Sequence, residues 1–171
     1  TPFIVATGGT ITNTPTCRIH TFTGPGTFTV CKTATAAANN EVSYMVVAGG
    51  GGSGGNTYAG GGGAGGFRET KSPVTPYTAS PLDGYSTPGN RITVTATGFP
   101  ITVGAGGAGV SVENAVGNNG SNSIFSTITS AGGGYGRTGN GCSVGSGGSG
   151  GGGSGGGPGA GGTGNTPPVT P

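Results

Sequence analysis

Residues 41–55 read EVSYMVVAGGGGSGG. A continuous apolar run of strand type, EVSYMVVA, passes straight into glycine with no separate turn signal. The same handover recurs in ITVGAGG, from residue 101, and in TITSAGGG, from residue 127. No fixed period links the three, so the chain is not a solenoid of one repeating unit. The fold therefore turns on what glycine does once each strand has ended.

Glycine supplies 45 of 171 residues, and only 6% of residues are charged, for a net charge of +2. Leu, Ile, Val and Phe together make up less than about 20% of the chain, a range shared with disordered proteins. Disorder of that kind needs a high net charge, which is missing here. Glycine loses more backbone entropy on ordering than other residues, and fixing a residue costs roughly 1–2 kcal/mol. An extended left-handed helix with three residues per turn offers a way to offset that loss. Its N–H and C=O groups point outward, so parallel-lying helices can satisfy one another. Close contact also allows Cα–H···O bonds of about 0.5–1 kcal/mol each. Side chains at the contacts would hold the helices apart, so glycine is needed there. Tracts such as GSGGSGGGGSGGGPGAGG, residues 145–162, suit this arrangement.

The expected fold is mainly β and irregular: a small antiparallel β-region joined to a packed bundle of polyglycine-II-type extended helices, with essentially no α-helix. One Leu, one Met and abundant Gly, Thr, Ser, Val and Pro argue against helix. Residues 1–164 read as one glycine-rich domain. Within it, 1–47 holds an N-terminal strand and a β-hairpin, and 48–164 holds glycine tracts interleaved with strands. Residues 165–171, NTPPVTP, read as a proline-rich linker to a following module. The chain opens with neither Met nor a signal-like stretch, as expected of a processed chain or a segment of a longer one.

The hairpin is expected in CRIHTFTGPGTFTVC, turning at Gly24-Pro25-Gly26. Its ends, Cys17 and Cys31, would then be near-opposite neighbours. Either they form a cross-strand disulfide, which implies an oxidising setting, or they are free thiols on a half-buried hairpin. Cys142 is left over, as a free thiol or an intermolecular bridge. FRETKSPVTPYTASPLDGYSTPGN, residues 67–90, reads as a long ordered loop. RITVTATG and PITVG read as strands meeting at a Gly98-Phe99-Pro100 corner, and SNSIFSTITSA as one further strand.

Gly104, Gly106 and Gly109 reproduce the G-x-G-x-x-G spacing of a dinucleotide loop. Such a loop must open an amphipathic helix. VSVENAVGNNGSN follows instead, with no helical stripe, so these are structural glycines. Six Lys and Arg cannot neutralise many phosphates, which excludes nucleic acid of the basic-patch kind. No apolar run approaches the ~18 residues of a membrane span. Catalytic and metal chemistry are poorly supplied: His20 is the sole histidine, and the acids are Glu41, Glu69, Asp83 and Glu113. No enzyme, cofactor or metal site is expected, and His20 reads as an ordinary strand residue.

Surface contacts are better supplied. Tyr58, Tyr77, Tyr85 and Tyr135 fall in loops or glycine-tract interruptions. Aromatics carried there by a rigid scaffold make good glycan or protein contacts; the alternative is that they plug gaps between tracts. Asn119-Gly120-Ser121 is an N-glycan sequon.

In order, RIHTFTGPGTFTV, EVSYMVVAGGGGSGG, GGGGAGGFRE, ITVGAGGAG, NGSNSIFSTITSAGGG and GGTGNTPPVTP resemble the glycine-rich domain of bacteriophage tail-fibre and tail-tip adhesin proteins. The resemblance implies an extracellular or virion-surface fibre module, with host-surface glycan or protein as partner and further copies as neighbours. Two other readings are a filament subunit that exchanges strands, with Thr1–Ile11 as donor, and an ice-binding bundle.

Overall fold

The computed structural model describes residues 1–55, 58–112, 115–138, 143–155 and 159–170. The described residues are mainly β and irregular. They hold no α-helix, only two short 3-10 turns, Ala37–Asn40 and Pro88–Asn90.

The strands are β1 (Val5–Thr7), β2 (Thr10–Asn13), β3 (Arg18–Thr21), β4 (Gly26–Lys32), β5 (Glu41–Val42), β6 (Tyr44–Val47), β7 (Phe67–Thr70), β8 (Ile92–Thr93), β9 (Gly98–Thr102), β10 (Ser123–Phe125) and β11 (Ile128–Ser130). An antiparallel sheet runs in the order β1-β4-β9-β10-β11, and β2-β3, β5-β8 and β6-β7 form two-stranded ribbons. Residues directly opposite each other share a face. Ala6 lies opposite Val30, Phe28 opposite Phe99, and Phe125 opposite both Ile101 and Ile128. These pairs compose the inner face of the sheet, and Tyr44, Val46, Ile92 and Val94 close over it as the core.

The expected hairpin is corrected. β3 pairs with β2, while β4 pairs with β1 and β9, so GPG joins two sheets instead of turning one hairpin. The real turn is Thr14-Pro15-Thr16-Cys17: the Thr14 N–H donates to the Cys17 carbonyl at 2.8 Å, and the Cys17 N–H donates to Thr14 Oγ1 at 2.9 Å. Proline at the second place of such a turn has its φ preset. Cys17 thus lies in the turn before β3 and Cys31 in β4 of the other sheet, and both are free thiols, not a disulfide. Thr1–Ile11 likewise has partners within the chain, since β1 lies on β4 and β2 on β3. The chain turns between β1 and β2 at Gly8 and Gly9, both at positive φ, 105° and 63°, where L side chains are strained.

Three further strand readings change. FRET, within the expected loop, is β7, paired residue for residue with β6. Gly98-Phe99-Pro100 is no corner but part of β9, and Pro100 lies where β9 has only β4 beside it. A residue without an N–H fits such a position. SNSIFSTITSA is two strands, reversed at Ser126, whose φ is 53°.

Eight glycine-rich segments lie among the described residues. They are tracts I (48–55), II (60–66), III (104–110), IV (115–122), V (131–138), VI (143–148), VII (149–155) and VIII (159–164). Tracts I and II extend the β6-β7 ribbon, III and IV extend β9 and β10, and V extends β11. Backbone groups pair between tracts with a period of three. The N–H groups of residues 48, 51 and 54 donate to the carbonyls of 66, 63 and 60 in tract II. Those of 49, 52 and 55 donate to 121, 118 and 115 in tract IV. The carbonyls of Gly50 and Ser53 accept from Gly107 and Val110, and those of Gly49 and Gly52 accept from Gly133 and Gly136. Tract I thus has four tracts as hydrogen-bonded neighbours and faces each again after three residues.

The same period governs which positions must be bare. A Cβ built on Gly104 or Gly107 would collide with the carbonyls of Ser121 and Asn118, whereas one on Gly106 has room. Ala105 and Ala108, which follow these two contact glycines, are exposed. Of the three glycines in the dinucleotide-like spacing, Gly104 is held bare by backbone contact, Gly106 has room, and Gly109 meets the Ser53 side chain.

Candidate functional site

Strand β7 and the long segment between it and β8 hold five of the chain's ten charged side chains, Arg68, Glu69, Lys71, Asp83 and Arg91. Glu69 is buried on β7 at 6% exposure, and its Oε2 accepts the Ser80 N–H at 3.0 Å. Asp83 Oδ1 accepts the N–H groups of Lys71, at 2.9 Å, and Tyr85, at 3.1 Å. These two carboxylates fold the segment back onto β7, and the Gly84 N–H completes the contact at the Glu69 carbonyl. Buried carboxylates persist only when hydrogen-bonded in this way.

Two of the expected contact tyrosines stand on this frame. Tyr77 is 40% exposed, with the Lys71 ammonium 5.8 Å from its ring centre. Tyr85 is half-buried and carries the Arg91 guanidinium over its ring at 4.3 Å. Beside Tyr85 lies a cavity of about 130 Å³, lined also by Ala38, Glu41, Ser72, Pro73 and Val74. A water occupies about 30 Å³ of liquid, so a few waters or one small polar group would fill it. The Ser72 hydroxyl in its wall is buried without a hydrogen-bond partner.

The other two tyrosines stand apart, on the glycine tracts. Tyr58 is 62% exposed just before tract II, and its carbonyl accepts the Gly155 N–H. Tyr135 of tract V bonds Ser143 Oγ at 2.5 Å, and its N–H donates to Asn119 Oδ1 at 2.9 Å. Tyr135 thus joins tracts, while Tyr58 presents its ring to solvent. The sequon residue Asn119 is exposed, with its side-chain oxygen engaged by Tyr135. His20 lies edge-on to Phe28 at 5.0 Å and bonds the Gly8 carbonyl at 2.8 Å, a packed strand residue. Cys142 and Glu113 fall outside the described residues. Among the described residues no group of three His, Cys, Asp or Glu side chains could hold a metal ion, and no helix is long and apolar enough to cross a membrane.

A family model described as a glycine-rich domain matches residues 22–169. The chain belongs to this family. No curated protein and no solved structure matches it. The match begins at Phe22, after β3, and spans every tract.

Sequence reasoning missed one anchor of the glycine-rich domain's charged frame. Glu69 was read as a loop acid, yet it is the buried residue on which Tyr77 and Ser80 converge. The available signal was FRET directly after a glycine tract, the mirror image of MVVA directly before one. Burial, with Glu69 as neighbouring charge and Asp83 further off, pushes the Tyr77 phenol from 10.0 up to about 12. The folded state therefore holds this proton more tightly than the unfolded chain does. Its contribution is fully present below pH 10 and declines as pH rises through about 12. In an ultraviolet phenolate titration of the folded domain, one tyrosine should ionise near pH 12, and Tyr77→Phe should remove that step.

Proposed function

We propose that this chain is an extracellular structural fibre module of the phage tail-fibre or adhesin kind, with polyglycine-II-type helices as its scaffold and host-surface glycans as its contacts. The observation that carries the reading is the three-residue period of hydrogen bonding between tracts. A β-strand repeats every two residues, whereas the extended left-handed helix repeats every three. Such a scaffold is held by backbone packing and needs neither a large apolar core nor a cofactor. It is stiff, uncharged and suited to holding loops away from a surface. The exposed rings of Tyr58 and Tyr77 and the cavity beside Tyr85 are the surfaces we assign to contact. Catalysis forms no part of the proposal: the histidine is packed on Phe28, away from the acids gathered around β7. Strand donation by Thr1–Ile11 is a weaker alternative, because those residues already pair within the chain.

The test is binding of the purified domain to intact bacterial cells of several hosts, before and after periodate oxidation of surface glycans. We expect binding to at least one host, lost after periodate and reduced by Tyr77→Ala or Tyr58→Ala. Failure to bind any host, or binding indifferent to periodate and to both substitutions, overturns the glycan assignment.

A further inference from the structure

The β2-β3 ribbon pairs with no other strand and meets the five-stranded sheet through His20, which packs on Phe28. All four residues of β2 are exposed, as are three of the four in β3. Ile11 is 41% exposed and Ile19 47%. β2 makes no sheet pairing beyond β3, and none of its backbone groups bonds elsewhere among the described residues. A ribbon of two short strands is marginal alone in water, and a third strand is the usual remedy. Proteins protect open edges with lysine, proline, a bulge or a cover. β2, Thr-Ile-Thr-Asn, has no charge and no proline, and its register against β3 is unbroken from Thr10 to Asn13.

We propose that the free edge of β2 pairs antiparallel with the same edge of a second copy of this chain. The strand is its own complement. A twofold axis between two antiparallel copies pairs residues of like parity, so it passes through residue 11 or residue 12. Either axis sets Thr, Ile and Asn against one another with no like charges opposed, and Thr–Thr and β-branched pairs are favourable across strands. The only charged side chain on the ribbon, Arg18, lies on β3, where its Nε donates to Asn13 Oδ1 at 3.0 Å. A net charge of +2 per chain adds little repulsion between copies. The result is a four-stranded sheet, β3-β2-β2-β3, that shields both ribbons. The pairing stands whether or not the chain serves in a fibre.

Sedimentation velocity across a concentration series is the test. The unaltered chain should pass from monomer to dimer as concentration rises. The pair Thr10→Lys with Thr12→Lys sets lysine against lysine about either axis and should stay monomeric, with unchanged circular dichroism. Thr10→Ser with Thr12→Ser should keep the dimer. Should the lysine pair disturb the ribbon itself, single cysteines decide. With Cys17, Cys31 and Cys142 replaced by serine, either Ile11→Cys or Thr12→Cys should cross-link a dimer on oxidation. A chain monomeric at every concentration, a dimer that survives both lysines in a folded ribbon, or no cross-link from either cysteine overturns the proposal.

Discussion

Gly136→Ala is expected to disrupt the glycine bundle, while Gly61→Ala leaves it standing. Both substitutions add one methyl group to a glycine tract, so composition cannot distinguish them. A Cβ at Gly136 would collide with the carbonyl of Gly60. That carbonyl has little freedom to yield, since it accepts the Gly54 N–H at 3.1 Å, and the Gly60 N–H donates to the Arg137 carbonyl at 2.8 Å. Overpacking a site costs about 1–3 kcal/mol. Loss of the two neighbouring hydrogen bonds adds about 0.5–1.5 kcal/mol each. The sum, about 2–6 kcal/mol, is a large share of the roughly 5–15 kcal/mol that stabilises a typical domain. It corresponds to a fall in Tm on the order of 10 °C. Nothing lies within 4 Å of a Cβ at Gly61, so alanine there only narrows the unfolded ensemble and should stabilise by ~0.4–1 kcal/mol. Equal melting temperatures for the two variants would show that the tracts do not depend on bare backbone contact.

The contrast between Gly136 and Gly61 also marks what the sequence can disclose. A β-branched run passing straight into glycine is a local signal, and MVVAGG, ITVGAG and TITSAGG each proved to be strand followed by tract. Even the three-residue rhythm is visible in GAGGAG, where the contact glycines 104 and 107 are each followed by an exposed alanine. Which tract lies beside which is not local, and neither is strand pairing. Alternation located β3 and β4 but could not reveal that each has another partner, because GPG can join sheets as readily as it can close a hairpin. β7 was hidden because Arg68, Glu69 and Thr70 look like surface residues. They become a strand through the β6 ladder and through Asn90, whose side chain accepts from Arg68 at 2.6 Å. Of the four contact tyrosines, sequence could place them in loops and tract breaks. It could not separate Tyr135, which ties two tracts, from Tyr58, which faces solvent, since that depends on Ser143 and Asn119 arriving from elsewhere.

Phe125→Ala is expected to unfold the tracts along with the β-region, although Phe125 lies in no tract. Its ring meets Phe28 and Phe99 at 6.2 Å and Tyr44 at 5.9 Å, in edge-on geometries. It thereby joins the inner face of the five-stranded sheet to β6. A buried phenylalanine truncated to alanine costs about 3–5 kcal/mol. The tracts bury almost no apolar side chains, so their stability is borrowed from whatever fixes their roots. Tracts I and II issue from β6 and β7, and III and IV from β9 and β10; all four strands contact the Phe125 cluster or pair with a strand that does. Loosening the roots frees the tract ends and restores to each glycine the entropy that bundling removed. One cooperative transition should follow, with near-ultraviolet aromatic signals and amide-exchange protection of the tracts lost together at a lower temperature than in the unaltered chain. Phe125→Leu, which keeps much of the volume, should recover most of the loss. If the aromatic signal melted first while tract amides stayed protected, the packed tracts would be a self-sufficient unit, and the strands would only direct where each tract begins.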